Sequence, residues 1–226
     1  MIDKKIKEEF KNLRNSFNMH AVKQVENSYY FDDILIDDGN SIVWEGDNFI
    51  TVKYTSRNSI SRVLSNLYPM SFTFRHKKVA SIESVLQGIK YKDKKTQNKV
   101  FKYAGVDAYH TRACNSFDFW GNDGKLYWQG KVINRKEEEY QDFLDELYLS
   151  VFENPLYFRA LIASGNKYLL HHIGRTDNNE TVLTRYEYES RLYALQKLAS
   201  KYKECKKYNK TLNKKSKKNK KYLLKK

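Results

Sequence analysis

Glu83, Gln87 and Lys90 place a carboxylate, an amide and an amine at spacings of four and three residues. In a helix, where each residue advances by about 100°, the three fall within one narrow arc. That arc lies roughly 120° from the centre of the apolar face of Ile82, Val85, Leu86 and Ile89, at the margin where a helix leaves its core. A cleft commonly opens at such a margin, and a carboxylate, an amide and an amine together would line one wall of a polar pocket. The plainer reading is a solvated face on which Glu83 pairs with Gln87 or Lys90, at a few tenths of a kcal/mol. Just ahead stands the run Leu64-Ser65-Asn66-Leu67-Tyr68-Pro69. Ser65, Asn66 and Tyr68 read first as the polar turn that closes an extended segment before a proline, and second as one wall of a polar pocket.

A second candidate is Tyr127-Trp128-Gln129-Gly130-Lys131. A Trp beside a glycine turn is most often a packed anchor. It can instead offer a face to a nucleobase, worth about 1–3 kcal/mol. Arg135, with Tyr140 and Gln141 just inside the next helix, could reach the same side. His171-His172 is no metal pair by pattern, since adjacent side chains diverge and no third His or spaced Cys accompanies them. Cys114 carries no nucleophile signature. Neither GxGxxG nor GxxxxGK[ST] occurs, so nucleotide handling here uses neither common phosphate loop.

The elements that must position these groups are legible in part. Ile2, Ile6, Phe10, Leu13 and Phe17 give a short amphipathic helix. Residues 28–54 turn β-branched and aromatic around Asp37-Asp38-Gly39-Asn40, which predicts two or three antiparallel strands. Phe72 and Phe74 lead into a turn at Arg75-His76-Lys77-Lys78. Ser81 is a fitting N-cap for the helix that carries Glu83. The stripe Tyr140, Phe143, Leu144, Leu147, Tyr148 and Val151 is a clear helix. Asn154-Pro155 opens another that ends at Ser164-Gly165. Thr184-x-x-Glu187 is a capping box for a last helix through Tyr188, Leu192, Leu195 and Leu198. Residues 92–125 are the least legible. The architecture predicted is α+β, a helix-dominated single domain with a small N-terminal antiparallel sheet.

The chain of 226 residues is long enough for one domain with a real core. Eighteen Tyr supply side chains with an apolar body and a wet tip. Two widely separated cysteines, Cys114 and Cys205, argue against a structural disulfide and for a reducing cytoplasm. No apolar run approaches the roughly 18 residues of a membrane span, and no membrane partner is expected. The net charge of +15 is concentrated: residues 201–226 hold thirteen Lys and one Glu, or +12, leaving +3 for the rest. Such a tail buries too little to offset its ordering entropy and reads as disordered or transiently helical. It would attract polyanions such as nucleic acid through counterion release, without reading sequence.

The runs LSNLYP at 64–69, SIESVLQGIKY at 81–91, YWQGKVINRKEEEYQ at 127–141, ENPLYFRALIASGNKYLLHHIG at 153–174 and ETVLTRYEYESRL at 180–192 together resemble the NADAR family (NAD- and ADP-ribose-associated). That family includes relatives of the bacterial riboflavin-intermediate N-glycosidase, and the later runs look most like phage members. The resemblance divides the chain into an extension at 1–27, a NADAR-like domain at 28–200 and the basic tail at 201–226. It implies cleavage of a ribose C1–N bond, in substrates such as riboflavin intermediates or ADP-ribose on guanine, with no cofactor or metal. Glu83 would then be catalytic, with Gln87 and Asn66 holding ribose hydroxyls or the water. Trp128 would stack on the base, Lys90 and Arg135 would meet the phosphates, and Ser65, Tyr68 and Tyr140 would complete the substrate-binding set. Ser84 stands where the family usually has His or an aromatic residue, and Asn134 where it usually has Asp. An Asp used in catalysis there would make this chain a binder of ADP-ribose-like ligands, not a hydrolase.

Overall fold

The computed structural model describes residues 3–19, 22, 34–37, 42–45, 48–111, 124–171 and 174–203. Cys114, Cys205, His172, the Asp38-Gly39-Asn40 turn and all but the first three residues of the basic tail lie outside them.

Asp3 starts α1 (Lys4–Asn15) by accepting the Lys5 N–H at 3.2 Å. Strands β1 (Ile34–Asp37), β2 (Ile42–Glu45) and β3 (Phe49–Thr51) follow as an antiparallel set. Asn58 then caps α2 (Ser59–Leu64), which ends at Ser65. The hairpin β4 (Phe72–Phe74) and β5 (Lys77–Val79) is shorter in its turn than the sequence suggests. Arg75 and His76 alone make the turn, at φ of 43° and 65°, and Lys77 and Lys78 are strand residues.

The segment of least legibility holds two short helices, α4 (Lys94–Val100) and α5 (Gly105–His110), after α3 (Ile82–Gly88). A second hairpin follows, β6 (Lys125–Trp128) and β7 (Lys131–Asn134), turning at Gln129 and Gly130 with both φ positive. The helical body is α6 (Glu138–Phe152), α7 (Pro155–Ala163) and α8 (Arg185–Lys203), with β8 (Tyr168–Leu170) between the last two.

The α+β class expected from sequence is the one observed. The sheet, though, is mixed and not purely N-terminal. Its order is β1-β2-β3-β8, and β8 pairs parallel to β3, with Ile50 opposite Leu169. Three-residue strands carry too little alternation to announce such a pairing across more than a hundred residues.

The core gathers the expected stripes of α6 and α8 with Ile82, Val85, Leu86 and Ile89 of α3. Every residue of α3 is buried, including Glu83, Ser84 and Gln87. An amphipathic edge helix would have left these three in water. Buried polar groups must find partners inside the fold, and the arrangement of those partners defines the site.

Candidate active site

Glu83 is 8% exposed and Gln87 5%, so the solvated-face reading does not hold. The pairing it assumed does occur. Gln87 donates from Nε2 to Glu83 Oε1 at 2.6 Å, and Lys90 donates from Nζ to Gln87 Oε1 at 2.8 Å. The amide is thereby oriented at both ends, toward the carboxylate with its donor and toward the ammonium with its acceptor. Three groups on one stripe become a single hydrogen-bonded chain, with half-buried Lys90 at its outer end.

The helix that carries this chain is fixed at its start. Ser81 Oγ accepts from Ser84 N at 3.0 Å, and the Ser84 hydroxyl accepts from Ser81 N at 3.3 Å. Ser84, the departure from the family pattern, therefore completes a capping box. Ser81 Oγ also accepts the Gly105 N–H at 3.1 Å, tying α5 to the same point. Gly105 has φ of 49°, and a Cβ there would stand 2.0 Å from the Leu67 carbonyl oxygen. Only glycine lets α5 approach the turn this closely.

That turn closes over α3. Glu83 N donates to the Asn66 carbonyl at 3.0 Å, and Tyr68 N to Ser65 O at 2.9 Å. Ser65 ends α2 and accepts the Leu67 N–H at 3.3 Å, which makes it a turn residue, as does the backbone contact of Tyr68. Asn66 has a second role. Its Oδ1 accepts the hydroxyl proton of Tyr148, on α6, at 2.9 Å. Tyr188, on α8, donates to the carbonyl of Leu64 at 2.8 Å.

Burial pushes both phenols well above their ordinary pKa, with the proximity of Tyr157, and of Glu83 itself, adding to the rise. They stay protonated and remain donors. His171 flanks Tyr188, its ring edge-on at 5.1 Å, and its Nδ1 donates to Val52 O at 2.9 Å.

Sequence reasoning placed Tyr148 and Tyr188 among the apolar stripes and so missed them. The available signal was the abundance of Tyr itself, since a buried phenol needs a partner for its tip.

The remaining predicted residues are not brought to the Glu83 stripe. Trp128 is 8% exposed, tilted against Phe101 at 5.1 Å and met by Phe74 at 4.9 Å and Phe143 at 5.6 Å. Its ring is an anchor of the aromatic core, so no face is left to stack on a base. Arg135 is 2% exposed and grips Glu187 through Nη1 at 2.8 Å and Nη2 at 2.6 Å, while Nε donates to Thr181 O at 3.1 Å. Tyr140 lies beneath that guanidinium at 4.7 Å and donates to the Val182 carbonyl. A compensated, buried guanidinium is not placed to meet phosphate, and both residues serve to seat the start of α8.

Asn134 Oδ1 accepts the Lys136 N–H at 3.1 Å, and its amide donates to Glu137 at 3.0 Å. It shapes the turn into α6: an Asp oxygen could accept from Lys136 N in the same way but could not donate to Glu137.

Among the described residues, no three or more His, Cys, Asp or Glu side chains come together in a way that could hold a metal ion. No described helix is long and apolar enough to cross a membrane. A cavity of about 590 Å³ lies between α1 and the first turns of α8, lined by Arg14, Gln141, Glu187 and Arg191 among others, and the Glu83 stripe takes no part in it.

Residues 58–197 match the family model described as bacteriophage protein GP30.3. A similar protein is the uncharacterized 17.1 kDa protein in the Gp30-rIII intergenic region of Enterobacteria phage T4. It is 28% identical over 130 residues, which is 57% of this chain and 84% of that protein. The NMR structure of the E. coli protein YbiA covers 70% of this chain and 89% of its own, with 14% identity and a TM-score of 0.46.

Proposed function

Since the chain belongs to the bacteriophage GP30.3 family, a NADAR-like phage group, we propose that it is an N-glycosidase acting on a ribose C1–N bond, with ADP-ribose on guanine in nucleic acid as its substrate. The observation that carries this reading is the buried Glu83 carboxylate, oriented by Gln87 on a residue whose backbone N–H is bonded to the Asn66 carbonyl. Breaking the C1–N bond leaves positive charge on the ribose and sends the bonding electrons to the base nitrogen, which takes up a proton. A carboxylate in a site of low dielectric stabilises that cation far better than water can. Glu83 then accepts a proton from the attacking water as its oxygen bonds to C1. Gln87 holds the carboxylate in place, and Lys90, at the outer end of the hydrogen-bonded chain, would meet a phosphate.

The lysine-rich C-terminal segment fits a nucleic-acid substrate because it adds affinity without sequence preference. In a phage, the reaction would reverse a nucleic-acid modification made by the host. The alternative is a protein that binds ADP-ribose-like ligands without turning them over; it rests on Asn134 in place of Asp, a residue that here bonds Lys136 N and Glu137 in the turn into α6.

The test is incubation of DNA carrying ADP-ribosylated guanosine with wild type and Glu83→Gln, followed by chromatography. Wild type is expected to release the ADP-ribose moiety, and Glu83→Gln to slow release by about 10²–10³-fold, the scale of one lost electrostatic contact at a reacting centre. An adduct left intact by the wild type from about pH 5 to pH 9 sinks the proposal.

A further inference from the structure

Asn66 is held at three points, one of them the contact of its backbone N–H with the Tyr188 hydroxyl. Its carbonyl oxygens are both engaged, the backbone one by Glu83 N at 3.0 Å and the side-chain one by the Tyr148 hydroxyl at 2.9 Å. Its side-chain NH₂ makes no hydrogen bond with the described residues, and the residue is half-buried. Tyr148 is fully buried and its hydroxyl can only donate to a carbonyl oxygen. The amide is thereby fixed with its NH₂ away from Tyr148.

Resting on the glycosidase reading above, we propose that Tyr148 is a positioning residue that makes Asn66 a donor to a hydroxyl oxygen of the substrate's ribose. Glu83 and Asn66 then form a complementary pair. An ionised carboxylate only accepts, and an amide locked through its oxygen only donates. A sugar hydroxyl does both, so one hydroxyl can satisfy the two at once. A deoxyribose at that position leaves the donor unpaired in a half-buried site, which costs more than the contact itself contributes. The pair therefore selects ribose chemistry.

The neighbouring phenols separate this role from mere packing. Tyr157 is 1% exposed, its hydroxyl has no hydrogen-bond partner among the described residues, and it raises the pKa of Tyr148 and Tyr188 by proximity. Tyr148 and Tyr157 are both buried phenols of the same cluster, but only Tyr148 touches Asn66. Removing the hydroxyl of either makes a similar change in volume. Only one of the changes frees the amide.

The experiment is calorimetric binding of ADP-ribose, and of its analogues lacking the 2″- or 3″-hydroxyl of the terminal ribose, to wild type, Tyr148→Phe and Tyr157→Phe. Wild type is expected to prefer ADP-ribose to one of the analogues. Tyr148→Phe should weaken ADP-ribose binding about five- to tenfold, the range of one hydrogen bond, and leave binding of that analogue unchanged, so that the preference collapses. Tyr157→Phe should keep the wild-type preference. If Tyr148→Phe weakens all three ligands by the same factor, or none, the proposal is overturned while the glycosidase reading stands. A wild type that binds no ADP-ribose overturns both.

Discussion

A carboxylate can remain buried only where other groups hold it, and at the residue scale Gln87 is the holder of Glu83. Replacing Gln87 by Glu keeps the length of the side chain and sets a second carboxyl about a hydrogen bond from the first. Two such carboxyls cannot both ionise at the ordinary value, and the pair titrates with one apparent pKa raised. Since the reaction needs Glu83 ionised, the acid limb of the rate profile of Gln87→Glu should move to higher pH. Gln87→Leu should lower the rate without that displacement. Measured pH profiles of kcat/KM distinguish the two. The stripe itself was legible from spacing. Its burial was not, because α3 owes it to packing against α5, the LSNLYP turn and α6, and local periodicity does not tell which elements pack together.

Among the elements, the ion pair of Arg135 and Glu187 decides how α8 begins. Glu187 closes the capping box with Thr184, accepting from its N–H at 2.7 Å and its hydroxyl at 2.9 Å, while also meeting Arg135 and Gln141. Burial alone would raise the Glu187 pKa, but the Arg135 charge and these hydrogen bonds hold it below the ordinary value. A folded pKa below the unfolded one means that this stabilisation is complete above about pH 5 and is lost as pH falls through the folded value. The difference in denaturant midpoint between wild type and Glu187→Gln should therefore shrink on acidification. Arg135→Met leaves a buried carboxylate unpaired and should cost about 3–5 kcal/mol near neutral pH. Gly105→Ala acts at another junction, where a Cβ would meet the Leu67 carbonyl at a left-handed backbone. The conformation alone costs about 1–3 kcal/mol, and Tm should fall accordingly. The Thr184-x-x-Glu187 box was legible because capping is local. The pairing of Arg135 with Glu187 spans fifty-two residues, and only the fold reveals that this guanidinium is structural.

At the scale of the whole molecule, the two ends of the chain contribute in different ways. The family match begins at residue 58, yet α1 belongs to the body. Phe10 is fully buried in the main core, and Arg14 joins Arg191 on Asp145 at 3.2 and 2.8 Å. Lys11 meets Glu138 and Asp142 at the surface, where both carboxylates are largely exposed. Phe10→Ala should therefore cost about 3–5 kcal/mol, and Lys11→Met no more than about 1 kcal/mol, measured by denaturant unfolding. The C-terminal segment is the opposite case. Residues 204–226 hold eleven Lys and one Glu, so their deletion removes +10 of the net +15. The core contacts of α8 end before them, at Leu198, Ala199 and the partly buried Tyr202. Deletion should leave Tm unchanged, since no described core residue is lost. Affinity for single-stranded DNA should fall, and so should the slope of log affinity against log salt, because each phosphate neutralised contributes about 0.7 to that slope on a single strand. Two oligonucleotides of the same length and different sequence should lose affinity equally. If the truncated chain keeps the full salt slope, the cations that meet nucleic acid lie in the body, and the basic segment has no part in substrate capture.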